Sequence, residues 1–167
     1  MTLPPTFDGR LVRARKLTPH VRELVFERTD GLPFEFDAGQ WVSLVLPHET
    51  GELRRAYSIA SAPNKTPAFE IAVTHVEGGP GSSYLHDMQP GQTLRIVGPQ
   101  GFFTHAKTGP SLFVGTGTGV TPLRSMLVDA IARGDTIKTI KIEGDTSSLF
   151  AKVADQLAKW NKILDKG

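Results

Sequence analysis

LRRAYSIASAP, residues 53–63, sets two adjacent arginines and a Tyr-Ser pair inside what otherwise reads as a strand. Strand alternation sends Arg54 to one face and Arg55, with Tyr57, to the other. An arginine beside a tyrosine and a serine offers a fixed cation for phosphate, a flat aromatic face with a hydroxyl, and a short hydrogen-bonding group. The same residues also describe an edge strand with a solvated arginine pair. The stretch needs its surroundings to decide between the two.

Working outward, the apolar pattern from residue 6 to about 107 is short and often alternating. The runs LVRARKL, VRELVFE, WVSLVLP, AYSIAS, FEIAVTHV and TLRIVG are separated by TPH, DAGQ, HETGE, APNKTP and QPGQ. Six closely spaced strands punctuated by Gly, Pro and Asn turns predict an antiparallel barrel, of Greek-key type, or a sandwich. One interruption, GSSYLHDMQPG at 81–91, predicts a single short helix, capped at its start by serine and closed by Pro-Gly.

After residue 110 the rhythm changes. SLFVG predicts a short buried strand, TGTG a glycine-rich turn, and VTPLRSMLVDAIARG a helix with apolar residues at Val120, Leu123, Leu127 and Ile131. Pro122 falls in its first turn and Gly134 just past its end, as helix geometry favours. TIKTIKIEG (136–144) predicts a second strand and residues 147–164 a second amphipathic helix. Strand-helix-strand-helix order predicts a truncated parallel βαβα unit.

Composition bounds the chemistry. The 167 residues carry 39% hydrophobic residues and a net charge of only +2, so no block of basic charge points to nucleic acid. No cysteine is present, which excludes disulfides, thiolate zinc sites and an iron–sulfur cluster held by this chain. The five histidines lack metal-ligand spacing. No run is apolar enough for a membrane span, and a cytoplasmic location is the expectation. All ten arginines lie at or before Arg133, whereas six of the nine lysines lie at or after Lys138. From about residue 136 the chain therefore reads either as one exposed helix or as a replaced, non-native C-terminus.

Two further glycine-rich stretches bear on function. EGGPGSSYL (77–85) puts three glycines and two serines at a helix start, where free N–H groups and the helix dipole favour an anion. It also fits a plain hairpin followed by a capped helix. LFVGTGTGVTP (112–122) runs from a strand into a helix, the setting of a dinucleotide loop. Its glycines form GxGxG rather than GxGxxG, and no GK[ST] follows.

In order, RAYS, GGPGSS, GPQGFF and GTGTGVTP resemble the ferredoxin–NADP⁺ reductase-like flavoprotein family over roughly residues 6–135. The resemblance implies a flavin-binding barrel at 1–107 and a partial nicotinamide-nucleotide-binding α/β domain at 108–167. It implies FAD rather than FMN, with NAD(P)H as electron donor. Carried across, it assigns Arg55 to the diphosphate, Tyr57 to the ribityl chain and one face of the flavin ring, and Ser58 to its reactive edge. Tyr57 and Ser58 thereby become the residues shaping reactivity. Gly81, Ser82 and Ser83 complete the phosphate cradle, and His75 and Val76 lie along the cofactor; His75 equally suits a solvent-exposed strand histidine. Gly115, Thr116, Gly117, Thr118, Gly119, Thr121 and Pro122 form the nicotinamide-nucleotide loop.

The tail departs from the family. Only 57 residues follow Pro110, too few for the family's sheet of several parallel strands. Glu143 and Asp145 stand where the family commonly has a glycine and an arginine, and Asp145 suits either ribose hydroxyls or a helix cap. The expected function is an FAD-dependent oxidoreductase passing electrons between NAD(P)H and an acceptor protein or small molecule. The alternative is a flavin-binding or interaction module, completed by a second chain or by homo-oligomerisation.

Overall fold

The computed structural model describes residues 4–49, 51–105 and 109–141. The chain divides into a compact unit, Met1–Asp135, and a second unit, Thr136–Gly167. Six strands form in the first unit: β1 (Thr6–Thr18), β2 (Val21–Arg28), β3 (Trp41–His48), β4 (Gly51–Ser58), β5 (Ala68–Thr74) and β6 (Thr93–Gln100). They correspond to the six apolar runs. All the named pairings are antiparallel, in the order β4-β3-β6-β1-β2-β5.

That order leaves β4 and β5 at the two edges. A bridge between Ile59 and Ile71, with Ala60 N–H donating to the Glu70 carbonyl at 2.7 Å, joins the end of β4 to β5 and closes the sheet. Closure removes two unpaired edges, which explains how β4 tolerates a polar surface. The interior holds residues of β1, β2, β3, β5 and β6, among them Leu11, Leu24, Phe26, Val42, Leu44, Ile71 and Ile96, each fully buried, with Leu53 and Tyr57 of β4 partly buried against them. Phe34 sits at the centre of an aromatic cluster, 4.6 Å from Phe69 and 5.2 Å from Phe7 between ring centroids.

The basic run of β1 is an outer face, as its spacing predicts. Arg13 and Arg15 both reach Glu23 of β2, at 3.5 and 2.9 Å. A register shift between Leu11 and Arg13 moves both onto that side.

The short helix α1 (Pro80–Asp87) crosses the barrel between β5 and β6. It differs from expectation in its cap. Gly79 is the N-cap and makes no side-chain cap bond, because Pro80 starts the helix before the serines are reached. Ser82 Oγ instead accepts the Val76 N–H at 3.0 Å and turns back toward the carbonyls of Gly79 and Val76. At the other end, Arg22 of β2 donates to the Leu85 carbonyl at 3.1 Å and to that of His86, and His86 Nε2 meets the Val73 carbonyl at 3.0 Å. A cation on the last carbonyls complements the helix dipole and pins α1 to β2 and β5.

The second glycine stretch forms a single 3₁₀ turn, Gly117–Gly119, that leads into α2 (Val120–Ala132). Two expectations are corrected here. Residues 111–115 form no strand, and 136–141 form none either. A parallel strand needs neighbours on both sides and cover on both faces, and Leu112 and Val114 are instead 89% and 78% exposed. The face of α2 that is buried is also not the apolar stripe. Thr121, Ser125, Met126 and Ala130 are covered, while Val120 and Ile131 are nearly half exposed. The expected second helix at 147–164 and the Glu143/Asp145 positions lie outside the described residues. No helix among the described residues is long and apolar enough to cross a membrane.

Candidate functional site

Strand β4 carries the polar triplet Arg55, Tyr57 and Ser58 on positions that the core leaves exposed or half-buried. Arg55 and Gly81, separated by 26 residues in sequence, meet in space: a β-carbon on Gly81 would lie 3.0 Å from Arg55 Cγ and 3.3 Å from Leu46 Cδ1. Only glycine lets the helix start come this close to the arginine stem. Arg55 donates through Nη1 to the Arg54 carbonyl at 2.9 Å and has no carboxylate partner among the described residues. Arg13 and Arg15 of β1, by contrast, are paired with acids.

The first intrahelical N–H bond of α1 is that of Ser83 to the Gly79 carbonyl, at 3.0 Å. Pro80 has no N–H, and the backbone donors of Gly81 and Ser82 have no partner among the described residues. Both residues are buried. A buried, unpaired donor is costly unless something binds it, and here two lie at the positive end of a helix beside a guanidinium without a counter-ion. The arrangement suits a phosphate.

Farther along β4, Tyr57 and Ser58 border a cleft of about 310 Å³. Its other walls are Thr74 of β5 and Thr118, Gly119 and Thr121 of the glycine turn and α2, with Ala56 and Ala72 as small residues that leave it open. All the hydrogen-bonding side chains here are hydroxyls. Thr74 Oγ1 donates to Thr118 Oγ1 at 3.2 Å, and Thr121 Oγ1 donates to the Thr118 carbonyl at 2.5 Å. Burial pushes the Tyr57 phenol above its ordinary range, opposed in part by the nearby charge of Arg55. Tyr57 therefore remains a neutral donor through the physiological range. Because the folded state favours the protonated phenol, this contribution is present below about pH 10 and is lost as pH rises through the raised value. Tyr57→Phe is expected to flatten that alkaline loss of stability, read as thermal midpoint against pH. An unchanged alkaline profile would place the burial elsewhere.

The expected site residues thus divide. Arg55, Gly81 and Ser82 come together at the α1 start, with Ser83 half-buried beside them. Tyr57, Ser58, Thr118, Gly119 and Thr121 come together in the cleft. Gly115, Thr116, Gly117 and Pro122 do not border the cleft; Gly115 instead lets the chain pass Leu123, whose Cδ1 would be 2.9 Å from a β-carbon there. His75 and Val76 are exposed, with the His75 ring edge-on to His86 at 5.1 Å between centroids. Thr74 was missed by sequence reasoning, although its place two residues beyond Ala72 on one face of β5 marks it. Among the described residues, no cluster of three or more His, Cys, Asp or Glu is placed to hold a metal.

A closed antiparallel barrel with an anion cradle at one helix start and an aromatic-hydroxyl cleft about three strand residues away, roughly 10 Å, is a holder for an extended cofactor with a phosphate and a flat ring. The residues present fit a flavin nucleotide, since a β-carbon at Gly81 would crowd Arg55 and Leu46 at the cradle and its donors have no other partner among the described residues. Residues 8–105 match the family of oxidoreductase FAD-binding domains, and the chain belongs to it.

Relatives agree in kind. The chain is 62% identical over 130 residues to ferredoxin–NADP reductase B of Sorangium cellulosum, covering 77% of this chain and 53% of that one. It is 32% identical over 131 residues to the phenol 2-monooxygenase reductase component DmpP of Pseudomonas sp. strain CF600, covering 77% of this chain and 36% of the relative. In structure it resembles the Amycolatopsis cytochrome P450 reductase GcoB, with a TM-score of 0.70 and 28% identity over 80% of this chain and 42% of that one. The chain thus spans about half the length of the first relative and just over a third of the second.

Proposed function

We propose that the chain is the flavin-holding part of an NAD(P)H-dependent oxidoreductase that passes electrons to an acceptor protein or small molecule. The observation that carries this is the cleft in which Tyr57 and Ser58 of the barrel face Thr118, Gly119 and Thr121 of the glycine turn. A ring held against β4 would lie within reach of a second nucleotide held on that turn.

When bound, FAD would supply the two-electron redox chemistry that links a dihydronicotinamide donor to the acceptor. The protein's share is binding and orientation. Arg55 with the N–H groups of Gly81 and Ser82 holds the diphosphate, and Ser83 adds its hydroxyl at the cradle edge. Tyr57 covers one ring face and donates from its neutral phenol, and Ser58 offers a hydroxyl to the ring's reactive edge. His75 and Val76 flank the cofactor at the end of β5. Residues 1–107 form the flavin domain, and 108–167 form part of the nicotinamide-nucleotide domain.

A test follows from Gly117, whose φ of +53° is a conformation that valine resists, and beside which lies open space. Gly117→Val is expected to abolish anaerobic bleaching of the flavin band by NADH or NADPH while FAD stays bound. Loss of FAD with intact bleaching of what remains would misplace the turn.

One observation favours a second reading. Leu112 and Val114, the expected first strand of the nucleotide domain, are largely exposed and unpaired in the described residues. On that reading the chain binds FAD and needs a second chain, or another copy of itself, to complete the sheet before a nucleotide is used. Yellow protein that neither NADH nor NADPH bleaches would favour it.

A further inference from the structure

RAYSIAS ends in Ala60 and Ser61, two residues that the flavin reading leaves without a role. Both backbone carbonyls are occupied by α2. Arg124 Nη1 donates to the Ala60 carbonyl, and Ser125 Oγ, fully buried, donates to the Ser61 carbonyl at 2.6 Å. The same two-residue segment is tied to β5, where Ser61 Oγ accepts the Glu70 N–H at 3.2 Å. Arg124 closes the loop by reaching Glu70 Oε2 at 3.1 Å, and Arg13 of β1 holds the other oxygen of Glu70 at 3.4 Å. Strands β4 and β5 and helix α2 are thus clamped at one point.

The clamp stands close to the cleft on both sides. Ser58, at the cleft, is two residues before Ala60, roughly 7 Å along an extended chain. Thr121, also at the cleft, is one helical turn before Ser125, roughly 6 Å along the axis. Over such short, regular levers a shift at the clamp reaches the cleft almost undiminished. The turn's other tie to the barrel is the Thr74–Thr118 hydroxyl pair.

The chemistry of the clamp differs from that of adhesion. Serine has no helix-propensity advantage inside a helix, and a buried hydroxyl costs free energy unless bonded. Of the apolar stripe of α2, Val120 and Ile131 are exposed and Leu123 and Leu127 half-buried, leaving Met126 and Ala130 as the buried apolar residues of the docking face. Hydrogen bonds to backbone carbonyls fix direction as well as distance, which apolar contact does not.

We infer that Ser125 and Arg124 are positioning residues, which set the spacing of the nucleotide turn from Tyr57 and Ser58 through the carbonyls of Ser61 and Ala60. The inference rests on the reading that the turn takes NAD(P)H. Neither residue borders the cleft.

The experiment uses the full FAD-loaded chain and the variants Ser125→Ala, Ser125→Cys and Arg124→Lys. Anaerobic reduction is followed over a range of NADH and NADPH concentrations. In Ser125→Ala the limiting rate of flavin bleaching is expected to fall about tenfold or more, since a small misplacement of reacting groups costs that much. The half-saturating nucleotide concentration and the FAD dissociation constant stay as in the parent. Ser125→Cys, which keeps the volume and a weak donor, recovers part of the rate. An unchanged limiting rate, or a loss confined to FAD or nucleotide affinity, overturns the inference. Arg124→Lys serves where Ser125→Ala does not fold, because it keeps a cation on α2 but replaces the planar Nη1 donor that reaches both the Ala60 carbonyl and Glu70.

A second measurement needs no turnover. Amide hydrogen exchange of residues 117–121 in the FAD-loaded chain is expected to speed up in Ser125→Ala while that of β4 stays constant. Unchanged exchange in the turn overturns the inference. Should the parent flavin resist both nucleotides, the proposed function fails, and the exchange result still decides whether the clamp positions the turn.

Discussion

Arg55→Ala is expected to raise the dissociation constant for FAD by about tenfold to a hundredfold, the worth of one or two hydrogen bonds to a charged group. The argument is one of pairing. Arg55 is exposed, yet no carboxylate among the described residues neutralises it, and its stem lies against the Gly81 α-carbon at the start of α1. Two buried N–H groups next to it lack partners. A diphosphate would satisfy the cation and both donors at once. Titration of the apoprotein with FAD, followed by cofactor fluorescence, reads the change directly. Arg54→Ala is the control: its backbone carbonyl, which accepts from Arg55, survives the substitution. Equal FAD affinity in the parent and Arg55→Ala would remove Arg55 from the site.

The largest expected effect on stability comes from Gly39→Ala, which should lower unfolding free energy by roughly 3 kcal/mol through backbone strain and overpacking together. Gly39 has φ +103°, a conformation alanine rarely adopts. A β-carbon there would lie 2.0 Å from the Phe103 carbonyl oxygen and 2.3 Å from Met126 Cε. Backbone cannot yield as a side-chain tip does, so the Met126 tip can swing aside but the segment after β6 must move. Urea denaturation of the FAD-loaded chain measures the loss. A midpoint within a few tenths of a kcal/mol of the parent would show that the 103–105 segment moves aside freely. In sequence Gly39 is only the glycine of a DAGQ turn, and nothing there distinguishes it from the glycine of QPGQ, whose surroundings are open.

That contrast marks the limit of what the residues disclose on their own. The six strands were legible because each alternates apolar and polar residues between turn-forming punctuation, a local signal that burial in a barrel preserves. The grouping of RAYS with GGPGSS was legible through family resemblance, and the contact of Arg55 with Gly81 supplies its spatial counterpart. Helix α2 was legible from its period and its Pro and Gly boundaries. Its orientation was not. The apolar stripe Val120, Leu123, Leu127 and Ile131 predicts the buried face, whereas the barrel covers Thr121, Ser125, Met126 and Ala130. The spacing of Thr121 and Ser125, four residues apart, was the one hint of a second, polar docking face. Strand character at 111–115 also misled, since a buried-strand pattern yields a strand only where other strands stand beside it.

By itself the sequence determined the antiparallel strands, the short helix, the glycine turn and the family, because these depend on local periodicity, on backbone freedom at glycine and on the order of motifs. Only the tertiary structure decided which side of α2 meets the barrel, that Ala60 and Ser61 hold it, and that Thr74 and Thr118 close the cleft. Those outcomes come from hydrogen bonds between segments as many as 64 residues apart, whose partners are chosen by where the closed sheet brings carbonyls into reach of donors, a choice that local pattern does not carry.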